Sequence, residues 1–84
     1  MTNRTVTLEH VIAQIAKEEF INHGNKTTIG IFTLKNGYVM VEASSCVDPA
    51  NYSEEMGKRI CREHLIDKIW NLEGYLLQTE MSKL

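Results

Sequence analysis

Three turn signals, Asn36-Gly37, Asp48-Pro49 and Gly74, divide the chain into four periodic segments without remainder. Such punctuation constrains the fold more tightly than composition, because the apolar period between two breakers fixes the type of element that can lie there. Leu8, Val11, Ile12, Ile15, Ala16 and Phe20 recur at the i, i+3, i+4, i+7, i+8 spacing of one helix stripe, which predicts a first helix over 8–20. Thr7 precedes it as N-cap, Glu9 lies in the first turn where the helix dipole favours an anion, and Gly24 follows as the stop signal. A β-branched run over 27–34, then Lys35-Asn36-Gly37, then a second run over 38–43 reads as a β-hairpin. Asn-Gly predicts a type I′ turn, whose two central residues both need positive φ. Ile29, Ile31 and Thr33 share one face of the first strand, and Val39 and Val41 one face of the second, yet both faces of the hairpin carry apolar groups. A two-stranded sheet is marginal alone, so one face is expected on the helices and the other against another chain.

Asp48-Pro49 opens a loop or a first helical turn, and a second helix is predicted to run to Leu72, capped by Asn51 or Ser53 with Glu54 and Glu55 near its positive end. Cys61, Leu65, Ile69 and Leu72 lie along one side of this helix, and Met56, Ile60, Ile66 and Trp70 on roughly the opposite side. In so small a chain one of these faces is expected against the sheet and the other either against the first helix or against a second subunit, as in a homo-oligomer. Asn71-Leu72-Glu73-Gly74 reads as the helix end with Gly at C′, which leaves Tyr75-Leu76-Leu77 as a short extended segment, either pairing as a third strand or tucked against the core, and 79–84 as a frayed tail. The expected class is α+β, in the order helix, β-hairpin, long helix, short C-terminal extended segment. A single domain over 1–84 with an ordered core over about 7–78 follows from the length of 84 residues.

A chain of this size buries only roughly 60–65% of its unfolded surface, and its expected stability is about 4–10 kcal/mol. The formal charge of −2, with acidic and basic residues interspersed, provides no clustered basic face, so non-specific nucleic-acid binding is not expected. Two cysteines, Cys46 and Cys61, are too few for a disulfide scaffold, and no signal-peptide pattern opens the chain; reduced thiols in a cytoplasmic setting are expected. No apolar run approaches the roughly 20 residues of a membrane-spanning helix.

Chemistry-bearing constellations are sparse. Cys61 and His64 stand at i, i+3 on a helix, but two ligands do not make a metal site, and His10, His23 or Cys46 would have to be brought in by the fold. Cys46 lies near Asp48, whose carboxylate raises rather than lowers a thiol pKa. Neither Gly24 nor Gly30 has the spacing or the Lys-Ser/Thr ending of a phosphate loop. No catalytic, cofactor-binding or metal residue is therefore assigned, and no cofactor is expected. The candidate interaction residues are Tyr38, Tyr52, Arg59, Trp70 and Tyr75, with Tyr38 beside the hairpin turn and Tyr52 before the second helix expected to be exposed. Trp70 reads as core, in which case Trp70→Ala costs about 3–5 kcal/mol.

Four segments taken together, Thr33-Leu34-Lys35-Asn36-Gly37-Tyr38, Cys46-Val47-Asp48-Pro49-Ala50-Asn51-Tyr52, Gly57-Lys58-Arg59-Ile60 and Ile69-Trp70-Asn71-Leu72-Glu73-Gly74-Tyr75-Leu76-Leu77, resemble a family of small tailed-phage and prophage proteins. That family is named for gene product forty-nine of phage N-four and gene sixty-six of phage Sf-six. The resemblance covers most of the chain from the first helix to Leu77 and departs at Cys61-Arg62-Glu63-His64, where the family leads one to expect Ala and other small or polar residues. It implies an accessory phage protein made in the bacterial host cytoplasm, with no established enzymatic activity and no catalytic residues to carry over. Binding to a host protein, as an inhibitor or anti-defence factor, is the expected role. One alternative is an oligomer that sequesters a nucleotide signal with Lys26, Lys35, Lys58, Arg59 or Arg62 toward its phosphates; another is a structural or regulatory part in phage development.

Overall fold

Thr7 caps a helix much shorter than its apolar stripe suggests. The computed structural model describes residues 5–84, and in it the Thr7 hydroxyl accepts the His10 N–H at 3.2 Å to start α1 (Leu8–Ala13). Gln14 ends it. Its Nε2 donates to the His10 carbonyl at 3.0 Å, and its own carbonyl accepts Lys35 N–H at 2.9 Å. From there the backbone turns to β1 (Ile15–His23), which corrects the helix expected over 8–20. Ile15 and Phe20 fit a helical stripe, but each still packs on the core from a strand.

Strands β1, β2 (Thr27–Leu34) and β3 (Val39–Ser45) form an antiparallel sheet in chain order. The third strand thus precedes the expected hairpin, and residues 75–77 are not it. Gly24, read as a helix stop, is instead a left-handed residue (φ +67°) in the β1–β2 turn. A bulge between Ile15 and Lys17 accommodates Ala16 at the other end of that pairing. The second turn also differs from the type I′ expectation. Gly37 N–H donates to the Leu34 carbonyl at 2.9 Å and Leu34 N–H to the Tyr38 carbonyl at 2.8 Å, while Gly37 alone in the loop has positive φ, +89°. This is a three-residue loop, a type I turn followed by a left-handed glycine, and the Asn36 carboxamide oxygen braces it by accepting Tyr38 N–H at 3.0 Å.

Asp48 caps a single 3₁₀ turn, Pro49–Asn51, its side chain accepting Ala50 N–H at 2.9 Å. Ser53, one of the two expected caps, then accepts Met56 N–H at 3.2 Å and opens α2 (Glu54–Met81). At 28 residues this helix is about 42 Å long. It passes straight through Gly74, so the C′ stop and the extended segment over 75–77 are both corrected. A mid-helix glycine costs about 1 kcal/mol relative to Ala but does not break a helix, and Leu76, Leu77, Gln78, Glu80 and Met81 are good helix formers. Nothing lies within 4 Å of where a Gly74 Cβ would sit. Gly74→Ala should therefore stabilise the protein by about 0.5–1 kcal/mol in chemical denaturation; a loss of stability would show that this stretch is not helical.

The long helix crosses the sheet face made by Thr28, Gly30, Phe32 and Leu34. Val11, Phe32, Leu34, Cys61, Leu65 and Ile69 form the buried core, with Val6, Ile15, Phe20, Met40 and Ile66 packed around it. Of the two apolar sides expected on the second helix, the Cys61–Leu65–Ile69 side buries against the sheet as its spacing suggests. Trp70 is 39% exposed, which corrects its assignment to the core.

Candidate interaction surface

Phe20 and Phe32 close the core beside Gly30, ring centroids 5.6 Å apart in an edge-to-face arrangement. The Arg62 guanidinium lies 5.1 Å and the Lys58 ammonium 5.5 Å from the Phe20 ring centroid. Arg62 also grips Glu18 through two nitrogens, Nε at 2.9 Å from Oε2 and Nη2 at 3.0 Å from Oε1. Lys58 pairs with Glu54 at 3.5 Å and Arg59 with Glu63 at 3.8 Å. Three of the five cations considered for phosphate recognition thus already hold carboxylates, and Lys26 and Lys35 lie in the two hairpin turns. Surface pairs of this kind contribute about 0–1 kcal/mol each, and they compete with an incoming anion.

The candidate interaction residues are dispersed. Tyr52 is half-buried and its hydroxyl is used inside the fold: it donates to Asn22 Oδ1 at 2.8 Å, so the Thr28 hydroxyl, 2.7 Å away, donates to it. That chain ties the start of α2 to β1 and β2. Arg59 and Tyr75 stand 16 positions apart on α2, about 24 Å along its axis. Tyr75 is 77% exposed, whereas Trp70 projects from another side of the helix.

Tyr38 does acquire company. With Leu34, Asn36, Ile69, Leu72, Glu73 and Leu76 it lines a hollow of about 360 Å³ between the β2–β3 turn and the last third of α2. Leu72 and Leu76 are about half exposed there. Neither stands out in the sequence, where spacing puts Leu72 on the buried side of the helix and Leu76 in an extended segment. The signal that finds them is the stripe Leu65, Ile69, Leu72 and Leu76, at i, i+4, i+7 and i+11, which becomes visible once Gly74 is allowed inside the helix. Glu73, which lines this hollow, has its Oε2 3.2 Å from His10 Nε2, a contact that helps dock α1.

The thiols and histidines are separated by the fold. Cys61 is fully buried, its Sγ 3.6 Å from the Thr28 carbonyl, and His64 is exposed. Among the described residues no group of three or more His, Cys, Asp or Glu is placed to hold a metal. Burial pushes the Cys61 thiol up, outweighing the opposing backbone contact at Gly30, with Glu42 pushing in the same direction. Cys46 is partly exposed and donates to the Asp48 carbonyl at 3.3 Å. A disulfide-exchange reagent at neutral pH is therefore expected to titrate Cys46 in the native protein and to reach Cys61 only on unfolding; two equally fast thiols would contradict this core.

On the same inner sheet face Glu42 is 7% exposed, with Oε2 2.6 Å from Lys68 Nζ. The contact is an ion pair without hydrogen-bond alignment, since Oε2 has no directed partner. The opposite sheet face carries Ile21, Val39 and Val41, each about half exposed, beside Ile29 and Ile31. No helix among the described residues is long and apolar enough to cross a membrane.

The model of the phage protein (N4 Gp49/phage Sf6 gene 66) family matches residues 6–81. No curated protein and no solved structure gave a match. The matched stretch runs from before α1 to the last residue of α2, and the chain belongs to this phage family.

Proposed function

We propose that this phage protein is a non-enzymatic accessory factor that acts in the host cytoplasm by binding a host protein, as an inhibitor or anti-defence factor. The observation that carries the reading is the hollow between Tyr38 and the end of α2, where Leu72 and Leu76 stay about half exposed beside an aromatic side chain. Partly desolvated apolar groups around an aromatic anchor are the usual centre of a protein–protein contact. The rim is polar: the Asn36 carboxamide, whose oxygen braces the turn, keeps its N–H groups for a partner, while Glu73 is held beside His10.

The test uses tagged full-length protein expressed in host cells, with capture and mass spectrometry beside phage plating on strains with and without defined defence systems. A stoichiometric host protein retained by the wild type, lost with Leu76→Glu and accompanied by a plating change that the same substitution abolishes supports the reading. Capture of a nucleotide with no protein partner, together with a thermal upshift of the purified protein by a cyclic dinucleotide or an ADP-ribose derivative, replaces it with sequestration. No plating effect across the panel, with phage proteins as the only partners, replaces it with a structural or regulatory role.

A further inference from the structure

The two edges of the sheet are built differently. β1 carries a bulge at its first pairs and the consecutive charges Lys17, Glu18 and Glu19, devices that discourage another strand from adding there. β3 has none of these: Val39–Ser45 contains no Pro, no Lys and, in its pairing with β2, no register shift. Its single charge, Glu42, points inward and is already paired with Lys68. An added strand therefore leaves no charge stranded.

The hydrogen-bonding phase of β3 is fixed at both ends. Leu34 N–H reaches the Tyr38 carbonyl, and Cys46 N–H reaches the Lys26 carbonyl, so the even-numbered positions between them bond to β2. Val39, Val41 and Ala43 consequently turn their N–H and C=O groups to the open edge. Their side chains lie on the outer face, where Val39 is 54% and Val41 58% exposed.

We infer that β3 pairs antiparallel with β3 of a second copy of this chain about a two-fold axis at Val41, joining two three-stranded sheets into one of six strands. The segment is complementary to itself in that register. Val41 exchanges both backbone bonds with its counterpart, Val39 exchanges them with Ala43, and every outer-face pair formed is apolar. A register centred one residue later sets Glu42 directly against Glu42, like charge against like charge, and is disfavoured. The joined sheet also makes the outer apolar surface around Ile29, Ile31 and Val41 continuous across the axis. This contact is separate from the Tyr38–Leu76 hollow, and neither depends on the other.

Sedimentation of the full chain is expected to give twice its 9.6 kDa mass. Val41→Lys places two ammonium groups opposite one another and should raise the dissociation constant about 10-fold; circular dichroism should be unchanged, because the side chain is on the open face. Register is read independently by oxidation in a Cys46→Ser background, where Val41→Cys is expected to give a covalent dimer and Ile21→Cys, on the far strand, is not. A wild-type protein that is monomeric at every concentration tested, or crosslinking at position 21 in place of 41, overturns the inference.

Discussion

Phe32→Ala is expected to leave the protein at the edge of unfolding at 25 °C, whereas Trp70→Ala leaves it folded. Phe32 is the largest fully buried side chain, at the centre of the inner sheet face and beneath α2. Truncation removes its transfer energy and opens a cavity that rigid neighbours on β2 and α2 fill poorly, at a cost of about 3–5 kcal/mol. Loss of the edge-to-face contact with Phe20 adds about 0.5–1.5 kcal/mol. Set against a total of about 4–10 kcal/mol for so small a core, little stability remains. Trp70, 39% exposed on the outside of α2, forfeits only part of its burial, about 1–2 kcal/mol. Urea unfolding followed by far-UV circular dichroism separates the two, since Trp70 is the single indole and cannot report on its own replacement. Equal destabilisation by both, or a Phe32→Ala protein within about 1 kcal/mol of wild type, would show that the core lies elsewhere.

The displacement of Trp70 from its expected place in the core shows where local pattern stops being informative. Trp70 sits at helical spacing from Ile66, and that spacing correctly places it on a helix; what it cannot tell is which of the two apolar sides of α2 the sheet covers, and the sheet takes the Cys61–Leu65–Ile69 side. The hairpin over 27–43 was legible because β-branched runs and an Asn-Gly turn agree, yet the turn type was not: an Asx contact from Asn36 and a left-handed Gly37 favour a three-residue loop over the two-residue one. β1 was illegible for a different reason. Lys17, Glu18 and Glu19 favour helix locally, and pairing with β2 over eight residue positions overrides that preference. Gly24-Asn25-Lys26 between two apolar-containing runs was the available hairpin signal, masked by reading Gly24 as a helix stop. The same bias toward glycine as a terminator ends α2 early at Gly74 and hides Leu76. Of the surface residues, Tyr38 was recognisable from its place beside a turn, and its partners Leu72 and Leu76 were not, because their meeting depends on how far α2 extends over the hairpin.

Gly57→Ala is expected to destabilise the protein by about 2–3 kcal/mol, the opposite sign from Gly74→Ala in the same helix. On propensity alone both changes gain about 1 kcal/mol. At Gly57, however, an added Cβ would lie 2.9 Å from the Thr28 Cβ and would run into the Thr28 hydroxyl itself. Both residues are buried, and Thr28 is in the middle strand, held by β1 and β3. Relief has to come from lifting α2 off β2, which separates Cys61 and Leu65 from the sheet, or from rotating Thr28, which breaks the Thr28–Tyr52–Asn22 chain and leaves a buried hydroxyl without a partner. Overpacking of this kind costs about 1–3 kcal/mol and the orphaned hydroxyl about 1–3 kcal/mol more, enough to outweigh the propensity gain. A double-mutant cycle tests the cause. Thr28→Ala removes the hydroxyl that obstructs the new Cβ and leaves only the milder approach of the residue 28 Cβ, so Gly57→Ala should cost about 1 kcal/mol less in that background. Additive losses would place the strain away from this contact, and a stabilised Gly57→Ala single variant would mean that α2 does not approach β2 closely at this point.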